Sequence, residues 1–263
     1  MKQKTIYVFP DECILVGGLA KGSQKKNLEE NFLNDSQRSH IESFKSLKNF
    51  CNFLEKSMYK IPIKLVSLES ALKDALKKIE GKEYRKYLDS KKIENFHNYL
   101  QRKGATDSQQ KEFSIKINGI NIYIVREKYE KECQEIFDKK YGNFSTTILP
   151  KYIHKNDINY IKTILIYSQE KNGRGIYIFL TNDERIVKDF STIFNELARN
   201  KIYILDSESL NKFSEKMKEL PNNEKKLDNY INEILRILSY EYISKSINKN
   251  KNKRKRKTSR LCQ

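Results

Sequence analysis

The chain has 263 residues, with 52 Lys+Arg against 34 Asp+Glu, a net charge of +18, and 38% hydrophobic residues. No apolar run approaches the ~18 residues of a membrane-spanning helix, which excludes an integral protein of that kind. Cys13, Cys51, Cys133 and Cys262 form neither a disulfide framework nor a CxxC zinc pattern. Scattered thiols suit a reducing compartment. The opening segment, interrupted by Pro10, Asp11 and Glu12, is a poor signal peptide. The expected location is cytoplasmic, or nuclear if the host is eukaryotic.

Thr5–Phe9 (TIYVF) reads as a buried strand ended by Pro10 and Asp11, after which Gly17, Gly18 and Gly22 predict a loosened segment. Ile41, Phe44, Leu47, Cys51 and Leu54 recur at helical spacing and predict a helix over Ser39–Lys56. Ile61–Val66 is a second strand. Ser67 is placed to cap the helix that follows, whose stripe is Leu68, Leu72, Leu76 and Ile79. A charged helical stretch covers about Glu83–Gln101.

Phe113–Val125 (FSIKINGINIYIV) alternates apolar and polar residues around Asn118-Gly119, the pattern of a tight hairpin. A helix over Glu127–Lys139 leads to a loop through Gly142 and Pro150. Asn156 is placed to cap a helix over Asp157–Gln169. Strand Ile176–Leu180, helix Glu184–Ala198, strand Lys201–Leu205 and a helix from Asp206/Ser207 complete the alternation. A last helix spans about Glu224–Ile243. Strands apolar on both faces and alternating with helices predict a three-layer α/β/α sandwich with a mostly parallel sheet. The hairpin is an insertion or an antiparallel addition. The expected division is a domain over 1–220 with an insertion at about 83–150, a C-terminal helix over 221–245, and a basic tail over 246–263, disordered by itself.

Positive charge concentrates in that tail. Eight of the excess charges lie between Lys249 and Arg260, among them Lys253, Arg254, Lys255, Arg256 and Lys257, and the body keeps the other ten. A basic body with a basic arm attracts polyanions, of which nucleic acid is the commonest inside a cell. The tail reads as a polyanion-binding arm, an import signal or a solubilising end.

In a parallel sheet, ligand sites lie outside the carboxyl ends of the strands. Four acids fall there: Asp11 after the first strand, Glu69 after the second, Asp183 in Thr181-Asn182-Asp183 after Ile176–Leu180, and Asp157 at the start of the preceding helix. Converging carboxylates repel unless a cation joins them. Hard ions such as Mg²⁺ or Mn²⁺ accept such ligands and activate water against a phosphodiester. Each acid also has a structural reading: a turn cap for Asp11, a first-turn carboxylate for Glu69 and Asp157, an N-cap for Asp183. Glu80 and Glu94 compete with Glu69, and Asp89 and Asp189 read as solvated helix positions. His40, His97 and His154 are isolated, and no phosphate loop or serine-nucleophile signature is present.

Four segments resemble PIN-domain nucleases. YVFPDECIL resembles their first strand and aspartate, IPIKLVSLESAL their second strand and acid, and DINYIKTILIYS the helix bearing the third. IYIFLTNDERIVKDF with KIYILDSESL is similar to their Thr-x-Asp motif and closing strand. The resemblance spans roughly Thr5–Phe213, and Glu83–Pro150 has no counterpart in the minimal fold. It implies a metal-dependent endoribonuclease with Asp11, Glu69, Asp157 and Asp183 as metal-binding acids and Thr181 and Asn182 in support. By the same implication the ion is Mg²⁺ or Mn²⁺ and the substrate RNA, with DNA as the alternative and an inactive binding module as the non-enzymatic one. A toxin or defence setting, an inhibitory protein partner and a homodimer are further expectations by analogy.

Overall fold

The computed structural model describes residues 4–20, 34–81, 93–94, 97–98, 100–102, 110–147, 155–171, 175–183, 197, 199–219 and 226–261, with backbone alone at 142–147, 155–158 and 249–261. The sheet is built from β1 (Ile6–Pro10), β2 (Ile63–Leu68), β3 (Glu112–Ile117), β4 (Ile120–Val125), β5 (Ile176–Leu180) and β6 (Ile202–Leu205). The helices are α1 (Glu12–Leu19), α2 (Asp35–Lys56), α3 (Glu69–Glu80), α4 (Glu127–Thr147), α5 (Lys155–Glu170), α6 (Ser207–Lys218) and α7 (Leu227–Leu261).

The six strands lie in the order β3-β4-β2-β1-β5-β6. All neighbours are parallel except β3 and β4. The hairpin is therefore part of the central sheet: β4 pairs in parallel with β2, and β3 adds an antiparallel edge. Its turn places Asn118 at φ 48° and Gly119 at φ 88°, the positive angles that a two-residue connection of matching twist requires.

The two sheet faces are chemically different. Tyr7 and Phe9 meet Tyr167 of α5 edge-on at 6.0 and 5.5 Å, and Tyr160 of α5 lies 5.3 Å from Phe179. α4 packs on α5 in that layer. On the other side α1 packs against α2 and α3, and α2 against α6, so helices cover both faces of an α/β/α sandwich.

Several local expectations are corrected. Residues 12–19 form a helix rather than a loosened segment. A Cβ at Gly17 would fall 1.9 Å from the His40 carbonyl oxygen, and one at Gly18 would strike the Phe44 ring, so these glycines let α1 press onto α2. The N-cap of α3 is Leu68, without a side-chain bond, while the Ser67 hydroxyl turns to Tyr160. Helix α2 starts earlier than its apolar stripe because Asn34 and Gln37 form a capping box. Helix α5 begins at Lys155, so Asn156 lies inside it. Helix α4 runs past Gly142 to Thr147, across a break at Tyr141. The expected helices over Glu83–Gln101 and Glu184–Ala198 fall mostly outside the described residues.

Helix α7 runs on to Leu261 through residues expected to form an unstructured tail; no proline or glycine interrupts 227–261. It follows the β6 edge from one end of the sheet to the other. Asp228 pairs with Lys4 at 3.5 Å, before β1 begins. Tyr203 donates to Asn232 at 3.0 Å, and the Ile204 amide donates to the Ser239 hydroxyl at 3.0 Å. Lys245 then reaches Glu208 at 2.9 Å, beyond the end of β6. No helix among the described residues is long and apolar enough to cross a membrane.

Candidate active site at the ends of strands β1 and β5

From β1 the chain moves outward to β2 and β4, then returns to β5 on the other side of β1. The crevice at such a reversal, outside the carboxyl ends of the two central strands, is where ligands of open α/β sheets bind. Asp11 and Thr181-Asn182-Asp183 occupy it, following β1 and β5 directly.

Asp11 is 6% exposed and is the N-cap of α1. Its Oδ1 accepts from the Ile14 amide at 3.0 Å, and its Oδ2 accepts from the Thr181 hydroxyl at 2.6 Å. Burial pushes the carboxyl up to about 6, against the lowering effect of the Thr181 and Ile14 bonds. The nearby Glu12 is paired with Lys78 of α3, which also approaches the Cys13 sulfur at 3.4 Å. Burial and the Asp11 charge push the Cys13 thiol up to about 12, which makes it a poor nucleophile.

The Thr-Asn-Asp segment ties three parts of the molecule together. The fully buried Thr181 donates to Asp11 and accepts from the Asp183 amide at 3.1 Å through the same hydroxyl. Asn182 donates to Ser43 of α2 and accepts from the Ser207 amide and hydroxyl at the start of α6, at 3.1 and 2.9 Å. Asp183 is half-buried beside them.

Two tyrosines hold the strand ends. Tyr160 of α5 donates to the Pro10 carbonyl at 2.6 Å, and Tyr242 of α7 donates to the Thr181 carbonyl at 2.9 Å. Neither is distinguishable in sequence among sixteen tyrosines. The sole signal is periodicity: Tyr160 shares a face with Ile164 and Tyr167, and Tyr242 continues the stripe Leu227, Ile231, Leu235 and Leu238.

Glu69 sits at the expected strand end and turns elsewhere. Its Oε2 accepts from the Glu127 amide at 3.0 Å, capping α4, and Oε1 pairs with Lys73 at 3.2 Å. The side chain of Asp157 lies outside the described residues, as do those of Lys253, Arg254, Lys255, Arg256 and Lys257. Of the competitors, Glu80 pairs with His97 at 2.6 Å, far along α3 from its start.

Among the described residues, no three His, Cys, Asp or Glu side chains are grouped to hold a metal ion. Asp11 by itself has the donor chemistry that a hard cation takes. A carboxylate has about four lone-pair sites, of which Asp11 uses two, and Mg²⁺ keeps several waters and needs only one or two carboxylates. Asp11 is linked to the Asp183 amide through the Thr181 hydroxyl, whereas Glu69 is turned to α4. A buried carboxyl with a value near 6 is otherwise suited to taking up a proton. Compared with known proteins, the chain matches no family model and no curated sequence.

Proposed function

We propose that this chain is a metal-dependent nuclease of the PIN type that cleaves single-stranded RNA at the crevice between β1 and β5. The observation that carries this reading is the Asp11–Thr181 pair: a buried carboxylate, held by a hydroxyl from the neighbouring strand end, at the reversal point of a parallel sheet. Charge agrees with it, since a body with an excess of basic residues collects a polyanion around an acidic centre.

Asp11 and Asp183 would hold Mg²⁺ or Mn²⁺, with Asp157 as the third acid that the resemblance assigns. The ion supplies a lowered pKa for water and neutralises charge on the leaving oxygen. Thr181 fixes the orientation of the Asp11 carboxylate, and the Ile14 amide holds its other oxygen. Tyr160 and Tyr242 keep the two strand ends in register. Glu69 serves the fold by capping α4.

A second reading, a binding module of the same fold without activity, is favoured by one observation: the second acid is spent on that cap. The experiment is a cleavage assay on single-stranded RNA and on flapped DNA with Mn²⁺, Mg²⁺ or chelator. RNA cleavage that requires metal and is abolished by Asp11→Asn and by Asp183→Asn is expected. Binding without cleavage under any metal assigns the inactive module, and cleavage of DNA alone assigns a DNA nuclease.

A further inference from the structure

Helix α7 covers the sheet edge and continues past it. Its contacts advance in step with the strands, from Lys4–Asp228 ahead of β1, through Ser239 on the Ile204 amide, to Tyr242 on the Thr181 carbonyl. It therefore arrives at the site edge of the sheet, where Ser246 and Ile247 still pack against the core. The helix continues without a break to Leu261. At 1.5 Å per residue, Lys249 lies about 10 Å and Arg260 about 27 Å along the axis beyond Tyr242. The densest positive charge in the sequence is thereby carried outward from the end of the molecule that bears Asp11 and Thr181.

We propose that residues 249–260 are an arm that binds the phosphate backbone of single-stranded RNA and delivers the strand to the crevice between β1 and β5. The delivery step rests on the nuclease reading; the binding step does not. Three features combine in it. Charge is complementary: eight basic residues and no acid in twelve positions. Direction is set by the helix, which Tyr242 and Lys245 anchor at its exit from the body. Spacing completes the device. Basic residues recur four apart at Lys249/Lys253, Lys251/Lys255, Lys253/Lys257 and Arg256/Arg260, a spacing at which like charges disfavour an isolated helix. A bound polyanion relieves that repulsion, so capture of RNA further stabilises the helical arm.

The test uses the full chain and a variant in which Lys253, Arg254, Lys255, Arg256 and Lys257 are all replaced by Gln, which preserves helix propensity. Anisotropy of a labelled single-stranded RNA is followed in chelator across a salt series, so no cleavage enters. The full chain is expected to bind at least tenfold more tightly at low salt. The slope of log affinity against log salt should flatten by about 3.5 in the variant, given ~0.7 per phosphate neutralised on a single strand. Equal slopes, or preferential uptake of the full chain by phosphatidylserine vesicles over RNA, overturn the proposal. Position is tested with photo-reactive RNA: cross-links are expected both in the arm and in the peptides containing Asp11 or Thr181–Asp183, and cross-links confined to the arm overturn delivery. If metal-dependent cleavage is absent while the slope difference and both cross-links persist, the nuclease reading fails and the arm stands.

Discussion

Glu69 and Glu130 cap each other's helices: Glu69 accepts the Glu127 amide at the start of α4, and Glu130 accepts the Ser70 amide at 3.1 Å and hydroxyl at 2.6 Å at the start of α3. The two helices leave adjacent parallel strands, so their positive ends lie side by side, and each carboxylate answers the dipole of the other. Glu130 is 2% exposed, and burial raises its pKa.

This exchange predicts unequal costs for two variants. Glu130→Ala leaves the half-buried Ser70 donors without their acceptor and should cost about 1–3 kcal/mol. Glu69→Gln keeps a carbonyl acceptor for the Glu127 amide and loses a half-exposed ion pair, a cost of less than about 1 kcal/mol. Urea unfolding measures both. RNA cleavage retained in Glu69→Gln identifies Glu69 as a cap; abolished cleavage at unchanged stability makes it a ligand after all.

Asp11→Asn should stabilise the protein while inactivating it. A carboxyl whose folded pKa is raised costs stability as it ionises, so the wild type loses stability as pH rises from about 4 through about 6. The full shift corresponds to about 3 kcal/mol in order of magnitude, from which weaker hydrogen bonds in the variant subtract about 1. The variant should therefore be the more stable protein above pH 6 by about 1–2 kcal/mol, with the gap closing below pH 4. A gap independent of pH would show that the carboxyl is not the cause. Mn²⁺ should raise the melting temperature of the wild type above pH 6 and leave Asp11→Asn unmoved.

Tyr160→Phe and Tyr242→Phe each remove one hydroxyl from a carbonyl at a strand end and should each cost about 1 kcal/mol. The two hydroxyls share no partner, so the double variant should be additive within about 0.5 kcal/mol. Chemical denaturation of the four proteins closes the cycle. Coupling well above that figure would mean that β1 and β5 shift together when either tether is lost.

Gly17→Ala should cost about 3 kcal/mol or more, because the new methyl meets backbone that cannot rotate away. Gly119→Ala has open space and pays only for a positive φ, about 1–2 kcal/mol. Thermal melts of both variants test the ranking. A mild Gly17→Ala would mean that α1 and α2 are not in tight contact.

What the sequence made legible follows from how local its cause is. β1, β5 and β6 are runs of β-branched and aromatic residues, and the hairpin carries its own turn chemistry at Asn118-Gly119; neither needs a distant partner to be recognised. Asp11 and Thr181 were legible because strand ends locate sites in parallel sheets. Helix α1 was hidden because a glycine that admits a neighbouring helix looks the same as one that loosens a loop. The orientation of Glu69 is decided by α4, which starts 58 residues later. The far end of α7 was hidden because composition argued for disorder while nothing in the sequence ends the helix.

The bond from the Ile204 amide to the Ser239 hydroxyl has a consequence for solubility. An edge strand with free amides is a template on which another copy of the same chain can pair. Here a side chain on α7 occupies the place that an incoming strand would take. One helix thus performs two duties at its two ends, insulating the sheet from self-association and reaching outward with charge. Shortening the chain from its C-terminus should first cost polyanion affinity and, once the cut passes Ser239, produce a protein that polymerises.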